Sequence, residues 1–340
     1  MHDKRPDISI SLPDDFHVHL RQGPTMAAYA VRSAEQFGRI LVMPNVVPPI
    51  TGPVPLADYR RALDVALSGR SCMPLMTFKL IPGMGAEAVR ACAEAGAVAG
   101  KYYPAGSTTN AADGVVQPRD VREELAAMEE RGLILSIHAE DPSAPVLERE
   151  TAFLPVLDGI VRSYPRLKIV MEHLSTRAAV DAVLAWPKTV AATITAHHLA
   201  FTIDDMLGEK LSPGFFCKPV LKTADDRTAL RKAAMSGSPK FFFGSDSAPH
   251  TPSAKAAGAA GSYSAPVAMA LLAQAFEEES SLDRLEGFCA RAGAAFYGIA
   301  APQGTLGLYR ESWEVPREMD GVEPLAAGRR LRWQARRVEA

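Results

Sequence analysis

The chain is poor in cysteine. Its four cysteines, Cys72, Cys92, Cys217 and Cys289, stand far apart, and no C-x-x-C occurs among the 340 residues. This excludes a disulfide-built scaffold, and the thiols are expected to be reduced and mostly buried. An excess of either charge is also missing. Lys and Arg number 37 against 39 Asp and Glu, a formal net charge of −2, with no basic run and no acidic tail. A nucleic-acid or anionic-membrane partner would require such a footprint, so a small ligand is expected. Long hydrophobic runs are lacking too. The Ala/Gly-rich stretch 254–276 is broken by Lys255, Ser262, Ser264, Pro266 and Gln274, so it reads as a flexible loop leading into an Ala-rich helix, not as a membrane span. The N-terminal MHDKRPDISI has no apolar core behind its charges, and a cytoplasmic location is expected. No repeat or low-complexity linker divides the chain.

What is present is ordinary globular material, 47% hydrophobic and 22% charged, in a regular alternation. Short runs rich in β-branched or aromatic residues occupy 15–20, 39–45, 73–80, 97–103, 133–139, 168–174, 190–197 and 240–246. Between them lie stretches with helical spacing. Leu56, Tyr59, Leu63 and Leu67 share one face, as do Val121, Leu125 and Met128. Eight strands alternating with helices over about 250 residues predict a (β/α)8 barrel, an α/β TIM barrel. The expected organisation is one domain over 1–340, with the barrel core at about 12–300 and a helical C-terminal extension at about 301–340.

The reactive side chains gather at the strand ends. The first strand ends in His17-Val18-His19-Leu20-Arg21, the second in Asn45, the fourth in Lys101, the fifth in His138, the sixth in His173, and the eighth in Asp246 with His250 beyond. All those ends lie on one face of a parallel barrel, where barrel enzymes place their chemistry. His17 and His19, one residue apart, project to the same side of a strand and can grip one cation. Taken alone, H-x-H is equally two hydrogen-bonded histidines. With His138, His173 and Asp246 on the same face there are more ligands than one catalytic zinc uses, and two cations become plausible. Two close cations need an anionic bridge. A Lys101 amine held neutral can take up carbon dioxide and become an anionic carbamate able to bridge; the plain alternative is a salt-bridged lysine.

These residues stand in a recognisable setting: Asp15-Phe16-His17-Val18-His19-Leu20-Arg21, Met43-Pro44-Asn45, Lys101-Tyr102-Tyr103-Pro104-Ala105, His138-Ala139-Glu140, Glu172-His173 and Gly244-Ser245-Asp246-Ser247-Ala248-Pro249-His250. The set, running in order from about residue 10 to about 300, resembles the amidohydrolase superfamily and, within it, the bacterial dihydroorotases of single-barrel type. The resemblance implies two zinc ions per subunit. His17, His19 and Asp246 would hold one, His138 and His173 the other, with N6-carboxylated Lys101 and a hydroxide bridging. It implies Asp246 as general acid and base in the reversible closure of N-carbamoyl-L-aspartate to (S)-dihydroorotate plus water, a step of pyrimidine synthesis, and a homodimeric enzyme.

Arg21, Asn45 and His250 match family positions that hold the substrate carboxylate, and Arg21 has the planar fork of donors that suits it. Without the resemblance, Arg21 is equally a structural ion-pair former, His250 a cap on its loop and Asn45 a turn stabiliser. The resemblance adds Thr108, Thr109, His138 and, through the backbone, Lys218 and Ala260 as substrate contacts. Lys218 departs from the apolar residue of relatives. The small, polar segment 105–114 has the composition of a mobile lid or of an ordinary solvent loop. His197 and His198, at the predicted end of the seventh strand, are expected to make structural hydrogen bonds and not to ligate. Rival readings are a hydantoinase or allantoinase, a metal-free barrel lyase with Lys101 as Schiff-base amine, and a non-catalytic assembly partner.

Overall fold

The computed structural model describes residues 5–300 and 302–338. Strand β1 (Ile8–Ser11) precedes eight strands that form one parallel sheet in sequence order: β2 (Asp14–Val18), β3 (Arg39–Val42), β4 (Met73–Leu80), β5 (Ala97–Tyr102), β6 (Ile134–Ile137), β7 (Lys168–Met171), β8 (Val190–Ile194) and β9 (Phe241–Phe243). The sheet closes just past the strand ends, where Val18 bridges Ser247 in parallel and the Asp246 amide donates to the His17 carbonyl at 2.8 Å. The result is a (β/α)8 barrel.

The helices form where the apolar spacing placed them. Leu56, Tyr59 and Leu63 are buried on helix Pro53–Ala66, and Leu125 and Met128 on helix Arg122–Arg131. Their faces pack against the outside of the sheet. The barrel interior has a separate core in which Phe16, Leu41, Leu75, Ile134, Val170 and Phe242 fill the lumen, so the barrel is packed and not a pore.

Helix Ala292–Tyr297 plugs the N-terminal end of the barrel. Tyr297 stacks on Phe16 at 4.6 Å between ring centroids, and Lys168, at the start of β7, donates to the Phe296 carbonyl at 2.8 Å. Gly293 makes this possible, because a Cβ there would lie 2.3 Å from the Phe16 ring. At the same end Arg39 meets Asp14 in a buried bidentate ion pair. With one end closed, the cavity can open only at the C-terminal face.

Two expectations need correction. Helices do follow the last barrel strand, at Ala268–Glu278 and Ala292–Tyr297, but the extension expected to be helical from about 301 carries only strands among the described residues. Strand β10 (Thr305–Tyr309) pairs antiparallel with both β1 and β13 (Gln334–Val338), and β11 (Trp313–Glu314) pairs with β12 (Arg330–Leu331). Thr305 and Tyr309 are strand-forming residues, and β1 and β13 pair with the backbone of β10 on both sides. The stretch 254–276, expected to open as a flexible loop before an Ala-rich helix, does lead into helix Ala268–Glu278 but begins within a short helix, Pro252–Ala256, with Thr251 as its N-cap. None of the helices described is long and apolar enough to cross a membrane.

Candidate active site

The described strands stop two or three residues earlier than the sequence suggests at β6 to β9, and the site is built in that difference. His173 and Asp246 sit just past their strands with φ of 42° and 43°. This left-handed conformation is costly for a side chain with a Cβ and tends to occur at functional sites. It bends the chain over the barrel mouth and aims both side chains inward. The His173 amide is held by Thr193 Oγ1 at 2.7 Å.

His17 Nε2 and His19 Nε2 lie 3.3 Å apart, and Asp246 Oδ1 is 3.3 Å from the first and 3.2 Å from the second. On the other side, His138 Nδ1 lies 3.2 Å from His173 Nε2. The His17 and His173 rings join the two sets at 5.1 Å between centroids. Lys101 stands on β5 with no exposed surface, and its Nζ has no hydrogen-bond partner.

Two carboxylates that the sequence reading assigned no role set the tautomers. His17 Nδ1 lies 2.8 Å from Glu172 Oε2, so the proton is on Nδ1 and Nε2 presents a lone pair to the site. His138 Nε2 lies 2.9 Å from Glu140 Oε2, which leaves Nδ1 unprotonated toward His173. Glu172 is itself held by Ser136 Oγ and Thr193 Oγ1. A third carboxylate, Asp15, accepts from the His17 amide at 3.1 Å and the Ser245 amide at 2.7 Å, tying the first strand to the segment that carries Asp246. For two of them a local signal was available, since Glu140 follows His138 by two and Asp15 precedes His17 by two; Glu172 lies 155 residues from His17 and had none.

The electrostatics prepare the same groups. Burial lowers His19 to about 4 and holds His138 and His173 below the ordinary imidazole range, so they are neutral, which is the form that ligates cations. Burial opposes ionisation of Asp246, yet His17 beside it and a hydrogen bond from His19 hold its carboxyl well below the usual range. Burial depresses Lys101 to about 8, so near neutrality part of its amine is unprotonated, as carbamate formation requires. Closely spaced lone pairs, a carboxylate and an unpartnered buried lysine together fit one or more divalent cations; His17, His19 and Asp246 form one such group.

A cavity opens above these residues. Arg21, Asn45, Thr108, Thr109, Lys218 and Ala260 line it with the histidines and Asp246. Arg21, whose φ is 64°, donates from Nε to the Pro249 carbonyl at 2.9 Å. His250 stands behind it: its Nε2 lies 2.9 Å from both Arg21 Nη2 and the Ala260 carbonyl, and its tautomer decides which contact is a hydrogen bond. Asn45 Nδ2 donates to the Thr109 carbonyl at 3.3 Å, which draws the 105–114 segment over the cavity. Lys255 Nζ donates to the carbonyls of Phe216, Ala259 and Gly261, joining the segments that carry Lys218 and Ala260.

His197 and His198 lie in the short helix Ala196–Ala200 and not at a strand end. His198 makes the expected structural bonds, to Thr195 Oγ1 at 2.8 Å and the Pro219 carbonyl at 3.2 Å. Contrary to expectation, both ring nitrogens of buried His197 are without a partner. With Cys217 these histidines form a second cluster of ligand-type atoms, all within 4.8 Å of one another.

Known proteins resemble this chain in sequence and in fold. The family model described as amidohydrolase matches residues 15–259. The dihydroorotases of Teredinibacter turnerae and Cupriavidus necator are 40% and 43% identical to this chain, each over 97% of it and 99% of the relative. The solved structure of the Saccharomyces cerevisiae dihydroorotase in complex with 5-fluoroorotic acid superimposes with a TM-score of 0.90 at 35% identity, covering 98% of this chain and 99% of that one.

Proposed function

The chain belongs to the amidohydrolase family and, within it, to the dihydroorotases, and from that premise we propose that it interconverts N-carbamoyl-L-aspartate and (S)-dihydroorotate in pyrimidine synthesis. The observation that carries this reading is the convergence of His17, His19 and Asp246 with His138 and His173 around the unpartnered Nζ of Lys101, below a rim that presents Arg21.

His17, His19 and Asp246 would hold one divalent cation and His138 and His173 another, with Lys101 as a carbamate between them; zinc is the ion that the donor set suits. When bound, such a pair polarises the scissile carbonyl and acidifies water. Glu172 and Glu140 fix the imidazole tautomers. Asp246 takes the proton from the attacking water and delivers it to the ring nitrogen that leaves; in the closing direction it removes the proton from the ureido nitrogen. The carboxylate is ionised, as accepting that proton requires.

Arg21 clamps the carboxylate that both substrate forms carry, with Asn45 beside it and His250 fixing the guanidinium from behind. The yeast relative was solved with an orotate derivative, whose ring bears the same carboxylate. Thr108 and Thr109 close over the bound molecule with the 105–114 lid. The enzyme works in the cytoplasm as a homodimer.

Hydantoin has the cyclic amide without the carboxylate, so an assay on both substrates tests this reading. Dihydroorotate is the preferred substrate, and Arg21→Met loses most of that preference. Equal or better turnover of hydantoin by the unmodified protein would assign it to the hydantoinases instead.

A further inference from the structure

Lys79 is a buried lysine at the barrel mouth that the proposed chemistry does not use. It stands at the end of β4, paired in register with Lys101 on β5, and is 1% exposed. It does not line the cavity. An ammonium in such a place is tolerated only when it is paired and hydrogen-bonded. Both of its hydrogen-bond partners come from the segment 105–114: Nζ donates to the Asn110 carbonyl at 2.7 Å and to the Asp113 carboxylate. The Tyr103 ring lies 5.9 Å from the same Nζ.

These bonds grip the segment directly after the two threonines. Asn110 takes a left-handed φ of 55°, which turns its carbonyl down to Lys79 while its side-chain amide donates to the Asn45 carbonyl at 3.0 Å. Asn45 Nδ2 returns a bond to the Thr109 carbonyl. Thr108 and Thr109 therefore hang between a tie to Asn45 and a tie to Lys79. Lifting the segment would strip a buried ammonium of both hydrogen-bond acceptors at once, and among the described residues no other acceptor is paired with it.

We propose that Lys79, with Asp113 as its counter-charge, is the positioning residue of the 105–114 lid and holds Thr108 and Thr109 over the cavity before substrate arrives. Its effect on turnover rests on the reading of those threonines as substrate contacts; its effect on the loop does not. Because the Asp113 side chain is half exposed, the tie is salt-sensitive and of moderate strength.

Hydrogen exchange of the metal-loaded, substrate-free full chain tests this, comparing the unmodified protein with Lys79→Met and Asp113→Asn. Asp113 lies on the outer side of the pair, so the second variant folds even if the first does not. Exchange of the 105–114 amides should become about tenfold faster, the scale of one charge-assisted hydrogen bond, while the barrel strands keep their protection. Asp113→Glu should restore slow exchange, and Asp113→Asn should add little to Lys79→Met. Unchanged exchange in Asp113→Asn would overturn the proposal. Faster exchange with kcat and KM both unchanged would leave the tie standing and overturn the role of Thr108 and Thr109.

Discussion

Glu172 holds His17 from behind, with Oε2 2.8 Å from Nδ1, and thereby turns Nε2 toward Asp246. The carboxylate does not touch the cavity, yet it decides which nitrogen of His17 can ligate. Glu172→Gln keeps the shape and removes the charge. The variant should remain folded but bind its metal about 10- to 100-fold more weakly, as measured by competition with a chelator. Wild-type affinity would mean that another group sets the tautomer.

The buried Nζ of Lys101 has no hydrogen-bond partner. If it acts as a carbamate, Lys101→Ala should lose activity and part of its metal, and short carboxylic acids should restore some of both. Loss without any rescue, in a variant that retains full metal, would point to an amine role for Lys101.

Thr108 and Thr109 reach the cavity from the lid and not from the barrel. The double variant Thr108→Ala, Thr109→Ala should therefore turn over substrate more slowly with metal content unchanged. Kinetics equal to those of the unmodified protein would remove these residues from the substrate contacts.

Much of this site was legible because a parallel barrel converts strand order into geometry. Once eight strands were counted, His17, Lys101, His138, His173 and Asp246 had to meet at one end. What orients them was harder to see. The partner of His17 is 155 residues away in sequence, and nothing in one strand says which carboxylate another will present. The strand ends were placed too late because positive φ at His173 and Asp246 bends the chain where the apolar pattern still continues. The extension beyond 300 was misread because its strands are defined by partners at Ile8–Ser11, at the other end of the chain.

Glu150 gives the fold a pH signature separate from the chemistry. It is buried in helix Arg149–Ser163, accepts from the Ser175 amide at 2.8 Å and from Thr176 Oγ1, and burial raises its carboxyl from 4.5 to about 7. A raised acid binds its proton more tightly in the folded state than in the unfolded one. Its contribution to stability is therefore fully present below pH 4.5 and is lost as pH rises toward 7. Glu150→Gln cannot lose a proton, so its melting temperature should decline less than that of the unmodified protein across this window. Parallel melting curves would show that Glu150 titrates normally.

Two cation sites that share one barrel mouth and act together on dihydroorotate would need two metal ions per chain for full turnover. Stripping the protein of metal and adding zinc back in measured steps, with dihydroorotate hydrolysis assayed at each step, tests it most directly. Activity should be absent at the start and reach its plateau at two equivalents per chain. Full activity with no metal, or a plateau at one equivalent, would rule out a paired-cation site.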